Sequence, residues 1–251
     1  MRTIVITGAS GGLAEAIIKK LPDDGLILLG RSKERLIEKY GHMPNVTCHR
    51  IDLSDTTAME NLVSELYQQY GKIDIWVNNA GFGEFKAFDD FSDQDIKAMF
   101  EVNTFATMTF SRLVGERMKQ EKSGQIINIA SMAGLIASNK SSVYSASKFA
   151  VIGFSNALRL ELADDHVYVT TVNPGPIKTA FFDQADPSGE YLKSVERFVL
   201  TPEVVASKTV KAFGKNKREI NLPYVLQVTH KVYTLFPRLS DFLARKVFNY
   251  K

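Results

Sequence analysis

The sequence predicts an α/β fold: one domain built on a doubly wound parallel sheet, held between two layers of helices. Two observations carry this. Six short runs, residues 3–7, 25–29, 46–51, 73–77, 125–129 and 167–172, are mostly apolar on both faces. Strands covered on both sides of a parallel sheet read this way, whereas a half-exposed strand alternates. Helical patterns fill the intervals and supply the crossovers that parallel neighbours require.

Composition agrees and excludes other classes. A chain of 251 residues, 45% hydrophobic and 24% charged, is long enough for one core and close to the globular average. The net charge of +3, from 31 basic against 28 acidic residues, is too thin a surplus to mark a nucleic-acid binder. A single cysteine, Cys48, excludes an intrachain disulfide, and His42, His49, His166 and His230 show no metal-ligand spacing. The first strand begins at Thr3, leaving no room for a signal peptide, and no run of about 18 apolar residues offers a spanning helix. A cytoplasmic protein is therefore expected, acting on a small molecule as a homodimer or homotetramer.

The elements follow in order. The first strand runs into Thr7-Gly8-Ala9-Ser10-Gly11-Gly12-Leu13-Ala14, and a helical pattern begins at once. Glycines at 8, 11 and 12 let the backbone turn tightly, so that the N–H groups at Ser10 to Leu13 meet a pyrophosphate at the positive end of a helix. The second strand ends Leu29-Gly30-Arg31, with glycine where an NAD site usually places a carboxylate. A guanidinium at Arg31 suits the extra phosphate of NADP. Asp23 and Asp24 precede this strand and lie at its wrong end to compete.

Ser54 and Asp55 can cap the next helix, with Leu62, Val63 and Leu66 as its inner stripe and Gly71 as its stop. Ser92 to Asp95 resembles a capping box opening a long helix through Ile96, Met99, Phe100 and Val102, with Asn103 inside it. Ser131 follows the strand ending at Ile129, at the sheet edge where ligands of such folds bind. Tyr144 and Lys148 stand four residues apart, hence on one helix face. Residues 176–200 read as a mobile substrate insertion, with a helix from Thr201-Pro202-Glu203 and a last strand at 218–222.

These motifs resemble those of the short-chain dehydrogenases/reductases, which implies a Rossmann-like fold and a nicotinamide cofactor. Gly8, Gly12 and Ala14 match the family's TGxxxGxG turn, with Ala14 departing from its last glycine. Asn78-Asn79-Ala80-Gly81 is similar to its NNAG segment, lining the adenine side and steadying the sheet. Asp52 and Leu53 resemble the pair that meets the adenine ring. Pro174, Gly175, Ile177 and Thr179 fall in its segment beside the nicotinamide and phosphate. Asn103, Ser131, Tyr144 and Lys148 match its catalytic set position by position. The resemblance implies that Lys148 also grips the nicotinamide ribose and that Asn103 holds a water relaying protons.

The chemistry has its own logic. Hydride transfer to a carbonyl leaves an alkoxide that needs a proton, and a phenol of pKa about 10 is a reluctant partner near neutrality. The charge of Lys148, joined by oxidised nicotinamide, favours phenolate; bringing the phenol to about 7 corresponds to roughly 4 kcal/mol. Ser131 would hold the carbonyl oxygen. Ser145 and Ser147 lack a histidine near them in the sequence and are not read as nucleophiles.

The expected activity is NADP(H)-dependent interconversion of an apolar carbonyl and its alcohol. Phe85, Phe88, Phe181, Phe182, Tyr191 and Phe198 line an apolar pocket or belong to the core. The alternative is a cofactor-binding regulatory or peripheral membrane protein with little turnover; the complete Ser-Tyr-Lys-Asn set favours the enzyme. In residues 224–251, Leu235, Phe236, Leu239, Phe242, Leu243, Val247 and Tyr250 recur at helical spacing behind Pro237, while Arg238, Arg245 and Lys246 project largely elsewhere. Such an amphipathic extension lies on an anionic membrane, on the protein's own body or on another subunit.

Overall fold

The computed structural model describes the backbone of residues 1–247 and the side chains of residues 1–242. Seven parallel strands form one sheet: β1 (Thr3–Thr7), β2 (Gly25–Gly30), β3 (Val46–Arg50), β4 (Ile75–Asn78), β5 (Gly124–Ile129), β6 (Val167–Pro174) and β7 (Glu219–Leu222). Their order is β3-β2-β1-β4-β5-β6-β7. The chain winds outward from β1 to β3 and then returns to begin again at β4. That reversal opens a crevice beyond the carboxyl ends of β1 and β4, where this fold class binds its ligands.

The helices are α1 (Gly12–Ile18), α2 (Lys33–Tyr40), α3 (Thr56–Tyr70), α4 (Asp93–Phe100), α5 (Ala106–Gln120), α6 (Ser142–Glu161), α7 (Phe181–Ala185), α8 (Glu190–Ser194), α9 (Pro202–Val210), α10 (Tyr224–Leu235) and α11 (Pro237–Val247). Alternate strand residues feed two cores. Ile4, Ile6, Leu26 and Leu28 join Leu13, Ile17 and Leu36 of α1 and α2 and Val205 of α9. Val5, Ile27 and Leu29 join Leu62, Val63 and Leu66 of α3, Phe110 and Val114 of α5 and Leu158 of α6. This two-sided burial explains why the central strands are apolar on both faces, whereas edge strand β3, Val-Thr-Cys-His-Arg, buries only Cys48 and exposes Thr47 and Arg50.

Capping follows the side chains. Asp55 rather than Ser54 caps α3, its carboxylate accepting the Ala58 N–H at 2.9 Å. Ser92 and Asp95 form the full capping box at the start of α4. Four boundaries differ from expectation. β3 ends at Arg50, and β4 begins only at Ile75, because the Asp74 carboxylate takes the Thr3 N–H at 2.8 Å ahead of the ladder. The helix expected to run through Asn103 is broken by a π turn, Glu101–Phe105. Residues 176–200 carry α7, α8 and a short 3-10 turn, and a parallel bridge between Ile177 and Leu200 closes both ends of the insert.

Candidate active site

The Gly8 turn forms where β1 ends. Gly8 has φ +63, and a Cβ there would stand 2.7 Å from the Ala80 Cα, so conformation and space both require glycine. Gly11 precedes α1 with no side-chain cap, leaving the first N–H groups of the helix directed into the crevice. The second motif is bound to the first. The Thr7 hydroxyl accepts the N–H groups of Asn79 and Ala80 at 2.9 and 3.0 Å, and the Asn79 amide donates to the carbonyls of Thr7 and Gly8. Asn78 lies deeper, donating to Asn128 Oδ1 at 2.8 Å and to Ser111 Oγ at 3.1 Å in a buried polar chain across β4 and β5. Buried networks of this kind hold one register only when every member is satisfied.

One cleft of about 1830 Å³ runs along the carboxyl ends of the strands. Gly8, Ser10, Gly11, Gly12, Leu13, Arg31, Asp52, Leu53, Asn79, Ala80, Gly81, Pro174, Gly175, Ile177 and Thr179 all border it, together with Ser131, Tyr144 and Lys148. Thr179 reaches the phosphate turn directly: a Cβ on Gly12 would meet its methyl at 2.9 Å. Asp52 lies in the turn beyond β3, where the backbone N–H and hydroxyl of Ser54 hold its carboxyl below the usual range. Asp24 is paired with Arg2 at 2.7 Å at the far end of β2, well away from Arg31. Arg35, in the first turn of α2, also borders the cleft and was not singled out from the sequence. Its signal was there: another guanidinium four residues after Arg31, in a helix whose N-cap is Ser32.

Tyr144 and Lys148 share one face of α6, 8% and 4% exposed, with Ser131 opposite on the turn after β5. Lys148 Nζ donates to the Ile129 carbonyl at 3.1 Å and lies 6.0 Å from the centre of the Tyr144 ring. Burial lowers this ammonium to about 8. The surroundings of the phenol favour its neutral form. Burial pushes Tyr144 up to about 12, and the facing Ser131 hydroxyl only partly opposes this. The rings of Phe85 and Phe181 stand 5.6 and 5.9 Å from that of Tyr144 and exclude the water that would stabilise a phenolate.

Asn103 lies behind the cleft, 1% exposed. Its amide donates to the Phe82 carbonyl at 2.8 Å and to Ser147 Oγ at 3.1 Å, and its Oδ1 accepts the Phe82 N–H at 2.9 Å. These bonds clamp the backbone after Gly81 onto α6. Gly81 permits the fit, since a Cβ there would stand 3.1 Å from Asn103 Oδ1 and 3.3 Å from Lys148 Nζ. Of the aromatic residues expected around a pocket, Phe85, Phe181, Phe182, Tyr191 and Phe198 border the cleft, whereas Phe88 is 78% exposed and does not. Phe85 stacks on Tyr191 at 4.2 Å, and its N–H donates to the Ala185 carbonyl at 2.8 Å.

A doubly wound fold with a glycine phosphate turn and a buried Ser-Tyr-Lys group at the strand ends defines a nucleotide-binding oxidoreductase. The short chain dehydrogenase family model matches residues 2–189, and the chain belongs to that family. It is 30% identical to an NADPH-dependent 3-dehydrocapnine reductase from Ornithobacterium rhinotracheale, over 96% of this chain and 95% of that one. It is 27% identical to a 3-ketodihydrosphingosine reductase from Bacteroides thetaiotaomicron, over 98% and 95%. Among solved structures, the closed form of a serine dehydrogenase complexed with NADP+ is similar, with 29% identity, a TM-score of 0.79 and coverage of 87% and 94%. The chain is therefore a hydride-transfer oxidoreductase acting between CH–OH and C=O groups.

Proposed function

We propose that this protein uses NADP(H) to reduce a long-chain ketone to its secondary alcohol. The carrying observation is the setting of the Ser-Tyr-Lys group: the cleft continues past Tyr144 between the aromatic stack of Phe85, Phe182 and Tyr191 and an apolar wall of Leu226, Val228 and Val232 from α10. A lined passage of this kind favours an extended apolar substrate over a short polar one. The names of two relatives, a 3-ketodihydrosphingosine reductase and an NADPH-dependent 3-dehydrocapnine reductase, support the same class.

The residues fit a dinucleotide phosphate. Gly8 and Gly12 let the turn close against Ala80 and Thr179 at the edge of the cleft, the start of α1 offers uncapped N–H groups, and Arg31 and Arg35 supply cations beyond β2 for a ribose phosphate. Bound there, the nicotinamide would supply the hydride. Ser131 Oγ holds the substrate oxygen by a hydrogen bond. Tyr144 Oη delivers the proton to that oxygen as negative charge develops on it. Lys148, anchored by the Ile129 carbonyl, stands with its Nζ 6.0 Å from the centre of the Tyr144 ring, where a positive charge favours phenolate, while the Ser131 hydroxyl opposes the upward push of burial. Asn103 acts through the backbone it clamps, as a positioning residue.

Loss of nicotinamide absorbance tests the proposal, with 3-ketodihydrosphingosine compared with butanone and NADPH with NADH. Each added methylene buried in the passage contributes about 0.8 kcal/mol, so kcat/KM should favour the long ketone by at least about a hundredfold. NADPH should be preferred over NADH. Equal kcat/KM for the two ketones, or a preference for NADH, would reject the reading.

A further inference from the structure

We propose that α10 and α11 form a docking surface for an anionic lipid bilayer, with the mouth of the cleft against the membrane. Among the described residues, 15 large hydrophobics are exposed, and eight of them fall between Tyr224 and Phe242. Tyr224, Leu235, Phe236 and Leu239 are 74%, 71%, 58% and 52% exposed, while α10 contains no buried residue. The other seven are scattered over the molecule, as is normal for single surface hydrophobics.

Among the described residues, α10 meets the body through Leu226 and His230. Leu226 packs against the buried cluster of Ala130, Met132, Leu135, Val151 and Ile152, and the His230 ring meets the Leu135 carbonyl at 3.1 Å. Val225, Val228 and Val232 are exposed and also border the cleft, so the apolar band begins at its mouth. Among the described residues, no helix is long and apolar enough to cross a membrane. The arrangement suits a pair lying in the interface plane.

Charge selects the occupant. Residues 224–251 hold five basic residues, Lys231, Arg238, Arg245, Lys246 and Lys251, against Asp241 alone. The remaining 223 residues carry 26 basic against 27 acidic, so the chain's whole positive excess lies in this segment. A second copy docking through the same face would set this excess against itself, whereas an anionic headgroup layer attracts it. The side chains of Leu243, Arg245, Lys246 and Val247, and all of Tyr250, lie outside the described residues; their contribution here is one of sequence charge and pattern.

The test is co-sedimentation of the full chain with vesicles of phosphatidylcholine alone, or of equal parts phosphatidylcholine and phosphatidylglycerol. Partitioning onto the anionic vesicles should be at least about tenfold higher and should fall as salt is added. The double variant Leu235→Asp, Phe236→Asp should lose binding while keeping the wild-type melting temperature. Lys231→Glu with Arg238→Glu, which alters only surface charge, should lose the preference for anionic vesicles. No sedimentation of the wild type, equal binding to both vesicles, or a light-scattering dimer that the double variant dissociates would overturn the proposal. It stands apart from the reductase reading, because vesicle binding is measured without turnover.

Discussion

Replacing Lys148 with methionine exchanges a buried ammonium for an apolar chain of similar length, and the folded protein should then respond differently to pH. Burial lowers the Lys148 ammonium from its ordinary 10.5 to about 8. Between those values the unfolded chain holds a proton that the folded chain has released, so the wild type gains stability as pH rises through the window. At 1.36 kcal/mol per unit, the full difference is about 3 kcal/mol. The bond from Nζ to the Ile129 carbonyl persists whether the amine is charged or neutral and changes little across the window. Tyr144 works in the opposite sense, its contribution being lost as pH rises from 10 to about 12, but both proteins contain it and the difference cancels it. Urea unfolding of the cofactor-free proteins, followed by fluorescence of the fully buried Trp76, would give both stabilities from about pH 7 to about pH 10.5. The stability of the wild type relative to Lys148→Met should climb by about 3 kcal/mol, and a flat or falling difference would refute the reasoning.

Tyr144→Phe should reduce turnover by about 10²- to 10⁴-fold while leaving NADPH binding, read by nicotinamide fluorescence, nearly unchanged; retained turnover would remove the phenol from the chemistry. Arg31→Ala should weaken NADPH binding by about tenfold to a hundredfold, the worth of a charge-assisted hydrogen bond, and leave NADH binding alone. Equal loss for both cofactors in paired titrations would contradict that role. Gly8→Ala forces a side chain into φ +63 and against Ala80. It should cost at least about 1–3 kcal/mol in thermal unfolding, and a variant as stable as the wild type would show that the turn can shift.

The parts legible in the sequence were those set by short spacings. The central strands announced themselves by two-sided burial, though edge strand β3 proved largely open, and Tyr144 with Lys148 by the period of α6. The π turn was not legible, because the partners that take up the Asn103 amide are Phe82 and Ser147, 21 and 44 positions away. For the same reason the rise in the Tyr144 pKa was hidden: its cause is water excluded by Phe85 and Phe181, brought from two distant segments. Phe88 failed as a pocket residue because apolar character alone does not say which way a short 3-10 turn faces. Arg35 had a local signal that was passed over, while the pairing of Phe85 with Ala185 had none.

The bond between the Thr7 hydroxyl and the backbone of Asn79 and Ala80 spans 72 and 73 positions. The nucleotide cradle is therefore a product of chain closure rather than of its own glycines, and an emerging polypeptide cannot complete it until β4 has been synthesised. Closing a loop of that length carries an entropic cost that grows slowly with length and is recovered only when β1 and β4 pair. A ribosome-released fragment ending before Asn79 would contain every glycine of the turn and still retain no dinucleotide in equilibrium dialysis.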